Sequence, residues 1–226
     1  MEKLTVATAV QPVPPSFLMR ILARFRLLTL LFAGLPFAHT ADAQPLYWAC
    51  NGCHGPNGIS VGEHIPTIAG LNYRYFYATM QAFRKDRRKG SSMGWIAKGY
   101  KSDQLQQIAL YSGTQPWVGK LEEVDPRLAQ RGQVLHAEYC EECHEQNGRF
   151  QDKETPPLAG QARGYLLYQM QDYRAAAHQM PQPALMQERL EKLSDADLIA
   201  LSEFYAGSLT REYQDSAPPE PAFRGE

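Results

Sequence analysis

Two short stretches of the chain carry the same pattern, CNGCHGPNG at residues 50–58 and CEECHEQNG at residues 140–148. Each stretch places two cysteines three positions apart and a histidine directly after the second cysteine. Together the two stretches hold all four cysteines of the 226-residue chain. Any chemistry that the sulfur atoms support is therefore carried out twice.

The pattern C-x-x-C-H is typical of the covalent attachment of a c-type haem. Two thiols on one turn of helix reach the two vinyl groups of one haem, and the imidazole of the next residue then binds the iron. The sequence therefore predicts two covalently bound haem c groups, each with its iron. The predicted attachment residues are Cys50, Cys53, Cys140 and Cys143, and the predicted proximal ligands are His54 and His144.

Two other uses of paired cysteines fit the sequence less well. Disulfides are common in exported proteins, but C-x-x-C disulfides belong chiefly to redox folds with βαβ units, of which the sequence gives no sign. Zinc ribbons place their cysteine pairs about 15–20 residues apart. Here Cys50 and Cys140 are 90 positions apart. Neither use explains a histidine after each pair.

An internal repeat extends well beyond the two motifs. A shift of 90 positions aligns the two halves of the chain without a gap. Because such self-similarity marks repeated structural units, we expect two copies of one module. Identical pairs outside the motifs include Pro66/Pro156, Gly70/Gly160, Tyr75/Tyr165, Met80/Met170 and Arg84/Arg174.

The periodicity of apolar residues predicts an all-α fold. The segments YRYFYATMQAFRKD and RGYLLYQMQDYRAA space their apolar and aromatic residues as one face of a helix does. No segment shows the sustained alternation that is typical of a strand. We expect a signal peptide at residues 1–43, module 1 at 44–113, a linker at 114–131 whose last part begins a helix, module 2 at 132–208 and a disordered tail at 209–226.

The beginning of the chain has the features of a secretory signal. Three arginines between residues 20 and 26 precede an apolar run at 27–38, and Ala41-Asp42-Ala43 then offers small residues for cleavage. The run is shorter than the roughly 20 residues that span a bilayer. We therefore expect a periplasmic protein without a membrane span after cleavage, whose translation starts at Met1 or Met19. The formal net charge of −1 gives no indication of nucleic-acid binding.

The second axial ligand of each iron decides between electron transfer and catalysis, and a methionine closes the site. In module 1 the candidate is Met93, in a loop rich in glycine and serine, whereas Met80 lies among aromatic residues and is expected in the core. In module 2, Met186 lies at nearly the same distance before the last helix as Met93 does. Met180 and a bis-histidine site with His178 are the alternatives there.

A second set of residues would support the two sites. Pro66 and Pro156 each follow the proximal histidine by 12 positions, where a carbonyl can accept a hydrogen bond from the imidazole. The remaining polar candidates are Arg84 and Arg174, which would bind haem propionates, cross the module interface or stay solvated, and His64 and His136, which are expected at the surface.

The chain resembles the di-haem class I cytochromes c over residues 47–207, through PTIAG in one half and PPLAGQ in the other. The stretches GISVGEHIPTIAG and SSMGWIAKGYKSDQL resemble the cytochrome subunit of flavocytochrome c sulfide dehydrogenase. This resemblance implies two tandem class I cytochrome c modules. It also implies that the chain is not catalytic alone, accepts electrons from an FAD-containing sulfide dehydrogenase flavoprotein subunit and passes them to a soluble acceptor such as a small cytochrome c.

Two other functions share some of these features. A free-standing di-haem carrier that feeds a terminal oxidase would have the same fold and ligands but no stable flavoprotein partner. A di-haem peroxidase would need one iron with an open axial position, whereas both halves here offer a methionine.

Overall fold

The computed structural model describes residues 43–88, 90–120, 122–175 and 184–209. These residues all fall within one compact unit, Thr40–Glu226. The regular elements of the described ranges are helices, as the sequence predicted. In chain order they are α1 Ala43–Trp48, α2 Asn51–His54, a 3-10 turn Pro56–Gly58, α3 Tyr73–Arg84, α4 Ser91–Lys98, α5 Ser102–Gly113, α6 Pro126–Tyr139, α7 Glu145–Gly148, α8 Arg163–Arg174, α9 Ala184–Glu191 and α10 Asp195–Gly207.

Several sequence-based predictions fall outside these ranges. They are the signal peptide up to residue 42, the tail from residue 210, and the alternative ligands Met180 and His178. Among the described helices, none is both long and apolar enough to cross a membrane.

The repeat is visible in the backbone just after each motif. Asn57 and Asn147 adopt the left-handed conformation, with φ of 56° and 58°. The glycines that follow them, Gly58 and Gly148, are also left-handed, with φ of 77° and 80°. Asparagine and glycine tolerate this region better than other residues. The repeated Asn-Gly pair therefore has the same left-handed conformation in both modules, although in module 2 the preceding Gln146 is left-handed as well, with φ of 58°.

Module 1 packs its helices around α5. Both α1 and α3 contact α5, and α4 packs on α3. Tyr47 of α1 is fully buried, and its hydroxyl donates to the carbonyl of Asn57 at 3.1 Å. The buried core of the module consists of Tyr47, Ile68, Leu71, Phe76, Met80, Ala97, Leu105, Ile108 and Ala109.

Module 2 is organised around the crossing of α6 and α10. Gly132 lies at this crossing, where a Cβ atom would come within 2.1 Å of the carbonyl oxygen of Ala200. A larger residue would hold the two helices apart. The buried core of the module consists of Leu166, Met170, Leu190, Leu193, Leu198, Leu201, Phe204 and Tyr205.

The first helix of module 2 begins inside the segment predicted as the linker. Asp125 accepts hydrogen bonds from the N–H groups of Arg127 at 2.8 Å and Leu128 at 3.2 Å. Pro126 occupies the first helical position, where its missing N–H costs no hydrogen bond. The Asp-Pro pair is thus the start signal, and the expectation that the last part of the linker is helical is confirmed.

Two glutamine side chains of module 2 form hydrogen bonds with backbone groups of module 1. Gln161 accepts from the N–H of Thr67 at 2.8 Å and donates to its carbonyl at 3.0 Å. Gln151 similarly accepts from the N–H of Asn72 at 3.0 Å and donates to the carbonyl of Gly70 at 3.0 Å. Each glutamine satisfies two backbone groups at once, so the modules pack as one body.

Arg84 and Arg174 make equivalent contacts, each within its own module. Neither arginine is a solvated helix end, and neither bridges the two modules. Nη1 of Arg84 donates to the hydroxyl of Ser102 at 2.7 Å. Nη1 of Arg174 donates to the carbonyl of Leu193 at 2.9 Å, and Nη2 binds Asp195. Each arginine therefore ties the end of α3 or α8 to the start of the last helix of its own module.

Candidate haem sites

Both C-x-x-C-H motifs form the same tight turn of backbone. In the first motif the carbonyl of Cys50 accepts hydrogen bonds from the N–H groups of Cys53 and His54, at 3.2 and 2.9 Å. In the second motif the first cysteine accepts the two corresponding bonds at 3.2 and 2.9 Å. The first cysteine of each pair is partly buried, the second is exposed, and no disulfide joins any of the four. Each motif thus offers two thiols on one turn, as the two vinyl groups of a haem require.

The thiols of the first cysteines are held in their neutral form. Burial, and to a smaller extent the neighbouring Cys53, raises the pKa of Cys50 to about 11. Burial also raises the pKa of Cys140, although a hydrogen bond with Tyr205 and the nearby Arg189 oppose the shift. A redox-active dithiol needs a lowered thiol pKa. The raised pKa values therefore argue against thiol–disulfide exchange at these motifs.

The imidazole of His54 is fixed by a backbone carbonyl. Its Nδ1 lies 2.8 Å from the carbonyl oxygen of Pro66, and the residue is 7% exposed. Burial lowers the pKa of His54, although the hydrogen bond to Pro66 opposes the shift. In the neutral ring Nδ1–H donates to this carbonyl, which leaves the lone pair of Nε2 to bind an iron. The predicted contact between Pro66 and the first histidine is confirmed.

The imidazole of His144 lacks this support. Its Nδ1 is buried and has no hydrogen-bond partner within the described residues. The predicted contact with the carbonyl of Pro156 is therefore wrong for module 2. Burial, followed by the proximity of His136, lowers the pKa of His144 to about 4. This ring is also neutral near pH 7, which is the form in which histidine binds a metal.

The two candidate methionine ligands occupy equivalent positions. Met93 is the third residue of α4, and Met186 is the third residue of α9. Both lie on short helices, so the prediction of a loop at Met93 is wrong. Met93 packs against the same core cluster as Cys50, and Met186 packs against the same cluster as Cys140. Each methionine thus shares a core with the motif of its own module.

The other methionines of the repeat belong to the cores. Met80 is 7% exposed and Met170 is 8% exposed, and both pack among the apolar residues of their modules. The prediction that these two methionines fill the core is confirmed. Their burial leaves Met93 and Met186 as the partly buried candidates of the described chain.

A buried histidine near the second motif was not predicted. His136 is 1% exposed, although the sequence suggested a surface position. Its Nδ1 lies 2.9 Å from the hydroxyl of Tyr205, and its Nε2 pairs with Glu141 of the motif. Its partner Tyr205 is 69 positions away, so only the tertiary structure reveals the contact. The surface prediction holds for His64, which is exposed.

Comparison with known proteins identifies the family. A sequence model described as Cytochrome c matches residues 40–111. Cytochrome c4 of Azotobacter vinelandii is 30% identical over 203 residues, which cover 80% of this chain and 95% of that protein. The chain belongs to the cytochrome c4 family. It is a di-haem cytochrome c, an electron-transfer protein that carries two covalently bound haem c groups.

A solved structure confirms the predicted fold of two tandem class I cytochrome c modules. The crystal structure of reduced recombinant cytochrome c4 from Pseudomonas stutzeri matches with a TM-score of 0.68 and 26% identity, over 75% of this chain and 98% of that chain.

Two further relatives of this di-haem cytochrome are named for the dehydrogenases with which they work. The thiosulfate dehydrogenase electron acceptor of Stutzerimonas stutzeri is 28% identical over 188 residues, covering 75% of this chain and 87% of that protein. The cytochrome subunit of sulfide dehydrogenase of Chlorobaculum tepidum is 37% identical over 65 residues, covering 29% of this chain and 58% of that protein.

The described residues fit a haem in each module. Haem c supplies an iron that takes up one electron and releases it again. The cysteines of each motif would hold the haem covalently, and the histidine that follows them would bind the iron. The carbonyl of Pro66 would fix the orientation of His54 and increase the basicity of its Nε2. In module 2 the packing around His144 would have to fix the ring without such a bond.

Proposed function

We propose that this chain is a periplasmic electron acceptor for a dehydrogenase of an inorganic sulfur compound, and that it passes the electrons to a soluble acceptor such as a small cytochrome c. The observation that carries the proposal is the equivalent placement of Met93 and Met186, each on the core that its motif contacts. The pairs His54 with Met93 and His144 with Met186 would close both irons. Irons without an open position relay electrons rather than bind a substrate.

The predicted signal peptide at residues 1–43 supports export to the periplasm. Haem groups attached through C-x-x-C-H motifs suit that compartment, because the covalent bonds keep the cofactor on an exported protein.

An FAD-containing sulfide dehydrogenase flavoprotein subunit is the first candidate donor. The stretch SSMGWIAKGYKSDQL, which resembles the cytochrome subunit of such complexes, forms α4 and the start of α5. A relative named as a sulfide dehydrogenase subunit shares 37% identity over 65 residues. Oxidation of sulfide by a flavin yields two electrons, and two one-electron haems could accept both.

The helix of Met93 offers a surface for this donor. Trp95 is 78% exposed and Ile96 is 42% exposed, so α4 presents apolar groups beside the candidate ligand. Lys98 lies 5.5 Å above the ring of Trp95 and pairs with Asp86 at 2.7 Å, whereas Lys85 and Arg87 are exposed nearby in sequence, so the charge of these four residues stays net positive. An apolar centre with a positive rim fits a partner that has an apolar patch with an acidic rim. We propose that the flavoprotein donor is this partner.

A free-standing carrier is the second candidate, and the extent of the matches favours it. The thiosulfate dehydrogenase electron acceptor matches 75% of this chain, whereas the sulfide dehydrogenase subunit matches 29%. Such a carrier would take electrons from a thiosulfate dehydrogenase and deliver them to a soluble acceptor or a terminal oxidase, without a permanent flavoprotein partner.

Stopped-flow reduction separates the candidates. The oxidised, haem-loaded chain is mixed with sulfide alone, with sulfide and flavoprotein, and with thiosulfate and thiosulfate dehydrogenase. We expect slow reduction by sulfide alone and fast reduction of both haems when the flavoprotein is added. Fast reduction only in the thiosulfate arm would select the free carrier. Fast reduction by sulfide alone, at the rate seen with flavoprotein, would contradict both relay functions.

Matched tryptophan variants test the docking surface. Trp95→Ala should slow reduction by the donor at least tenfold, because exposed aromatic residues often dominate binding, at about 2 kcal/mol or more. Trp48 is 51% exposed on α1, and Trp48→Ala is the control that should leave the rate unchanged. Equal effects of the two substitutions would place the donor elsewhere on the surface.

A further inference from the structure

A buried arginine lies where the two modules meet. Arg88 follows α3 in module 1 and is 7% exposed. The N–H groups of Arg87 and Arg88 both donate to the carbonyl of Ala82, at 2.8 and 3.2 Å, so the chain reverses directly after the helix. This turn buries one arginine and leaves its neighbour Arg87 exposed.

The hydrogen-bond partners of Arg88 are neutral. Nη2 donates to the hydroxyl of Tyr165 at 3.0 Å and to Oε1 of Gln169 at 2.5 Å, and both partners belong to α8 of module 2. Nη1 lies 3.5 Å from the hydroxyl of Thr79. Nε is buried and has no partner within the described residues. In the described part of the chain, no carboxylate contacts this guanidinium.

The tyrosines around the guanidinium do not balance its charge. Tyr75, Tyr165 and Tyr173 all interact with Arg88 electrostatically. Burial raises the pKa of Tyr165 and Tyr173, although the guanidinium opposes both shifts. Both hydroxyls are therefore neutral near pH 7. The protein supplies a buried positive charge and a cluster of phenols, but no anion.

A buried cation without a counter-ion is unfavourable, because hydrogen bonds to neutral groups and the ring of Phe83, 5.2 Å from the guanidinium carbon, replace only part of its hydration and no opposite charge balances it. Each haem c carries two propionate groups, which are carboxylates. A guanidinium binds a carboxylate through two neighbouring N–H groups, and the unpartnered Nε–H of Arg88 is one such donor. We propose that Arg88 is the counter-ion of a haem propionate at the contact between the modules.

The repeat supplies this arginine only once. A shift of 90 positions pairs Arg88 with His178, so the second copy has no arginine at the same place. Because Arg88 belongs to module 1 and its hydrogen-bond partners to module 2, the propionate can come from either haem. A cation beside a propionate stabilises the ferrous iron of that haem and keeps the propionate ionised.

The test is the reduction potential of each haem in the full, haem-loaded chain between about pH 5 and 9. We expect Arg88→Gln to shift the ferric–ferrous equilibrium of one haem about tenfold towards ferric, as the loss of a nearby charge predicts. The potential of this haem should also become pH-dependent, because its propionate then titrates. The Met186→Ala variant changes the potential of the haem of module 2, and comparison with it shows which haem Arg88→Gln affects. The affected haem is the one whose propionate Arg88 binds.

Arg87→Gln is the control, because it removes a neighbouring charge of the same sign at an exposed position. It should leave both potentials and their pH dependence almost unchanged. If Arg88→Gln behaves like Arg87→Gln while it weakens the protein against urea, Arg88 serves only the packing of the modules and the proposal is overturned.

A second variant keeps the test decisive if Arg88→Gln does not fold. Arg88→Lys retains the charge but loses the planar pair of donors. The propionate carboxylate bands in infrared difference spectra between the reduced and oxidised protein should then shift relative to the wild type. Unchanged bands in Arg88→Lys would overturn the proposal.

Discussion

Module 1 and module 2 build their haem-binding turns from the same two hydrogen bonds, yet they carry opposite charges. Residues 44–113 contain eight lysines and arginines against three acidic residues, a net charge of +5. Residues 132–208 contain six against twelve, a net charge of −6. Since the turn depends on backbone and the charge on side chains, the two copies could diverge in electrostatics without losing the haem site. Opposite charges attract different partners to the two modules.

The surroundings of the proximal histidines differ as well. His54 donates to the carbonyl of Pro66, whereas Nδ1 of His144 has no partner in the described chain. Beside the second motif, His136 pairs with Glu141 instead. The hydrogen bond to the carbonyl should make His54 more basic and therefore lower the reduction potential of the haem of module 1. The net positive charge of module 1 should raise the same potential. The comparison therefore predicts two haems that respond differently to equivalent changes.

The largest expected effect is the loss of one haem. Replacing Cys140 and Cys143 by serine removes both attachment points of module 2, so the haem content of each chain should fall to about half. Module 1 should keep its colour, because Cys50 packs against a separate core from that of module 2. Pyridine haemochrome absorbance per protein measures the ratio. Loss of both haems would show that the modules do not load independently.

The next effect concerns the axial methionines. Met186→Ala should remove about half of the near-infrared band of methionine-ligated ferric haem and lower the potential of one haem, because methionine raises it. Met93→Ala should do the same for the other haem. Met170→Leu is the core control and should leave the band intact, since Met170 is 8% exposed in the core. If Met180→Ala removes the band and Met186→Ala does not, the ligand of module 2 is Met180.

The haem-attachment residues could be predicted from the sequence because their chemistry is local. Two thiols and an imidazole on one turn need no distant contact, and the repeat of 90 positions pairs them directly. The helix at Met93 was missed, because Gly94 and the serines before it lower helix propensity. Ala97 on that helix is fully buried in the core, so tertiary packing outweighs the local preference.

The roles of His136, Gln161 and Arg88 could not be predicted for a related reason. Gln161 pairs with Thr67 across 94 positions, and Arg88 with Gln169 across 81. A single polar residue has no periodic signal that distinguishes burial with a partner from exposure to solvent. The packing of one module against the other provides the partners of Gln161 and Arg88, whereas His136 meets Tyr205 within module 2.

A smaller effect is expected from the helix crossing of module 2. In Gly132→Ala the new methyl group would meet the carbonyl oxygen of Ala200 at 2.1 Å, so α6 and α10 must move apart. We expect the free energy of unfolding of module 2 to fall by about 1–3 kcal/mol. Gly62→Ala is the control, because its nearest neighbour would be Cγ1 of Ile65 at 3.9 Å. Equal urea midpoints for the two variants would contradict a tight crossing.

The smallest expected effect concerns the first turn of the last helix in each module, because the two modules cap this turn with different side chains. In module 2 the side chain of Asp197 accepts from the N–H of Ser194 at 2.9 Å and binds Arg131. The hydrogen bond with Ser194, followed by that with Arg131, lowers the pKa of Asp197 from its ordinary 3.8 to about 2. In module 1 the neutral Gln104 accepts from the N–H of Lys101 at 2.9 Å instead.

Asp197→Ala should therefore reduce the free energy of unfolding by about 1 kcal/mol near pH 7. Because the folded-state pKa of Asp197 lies below the unfolded value, its contribution is complete above pH 3.8 and disappears as the pH falls towards 2. The difference between variant and wild type in urea unfolding should shrink over this window. Gln104→Ala removes an uncharged cap, so its cost should not depend on pH. A cost of Asp197→Ala that stays constant from pH 7 to pH 2.5, as roughly expected for a neutral cap, would show that the carboxylate charge contributes nothing to this helix start.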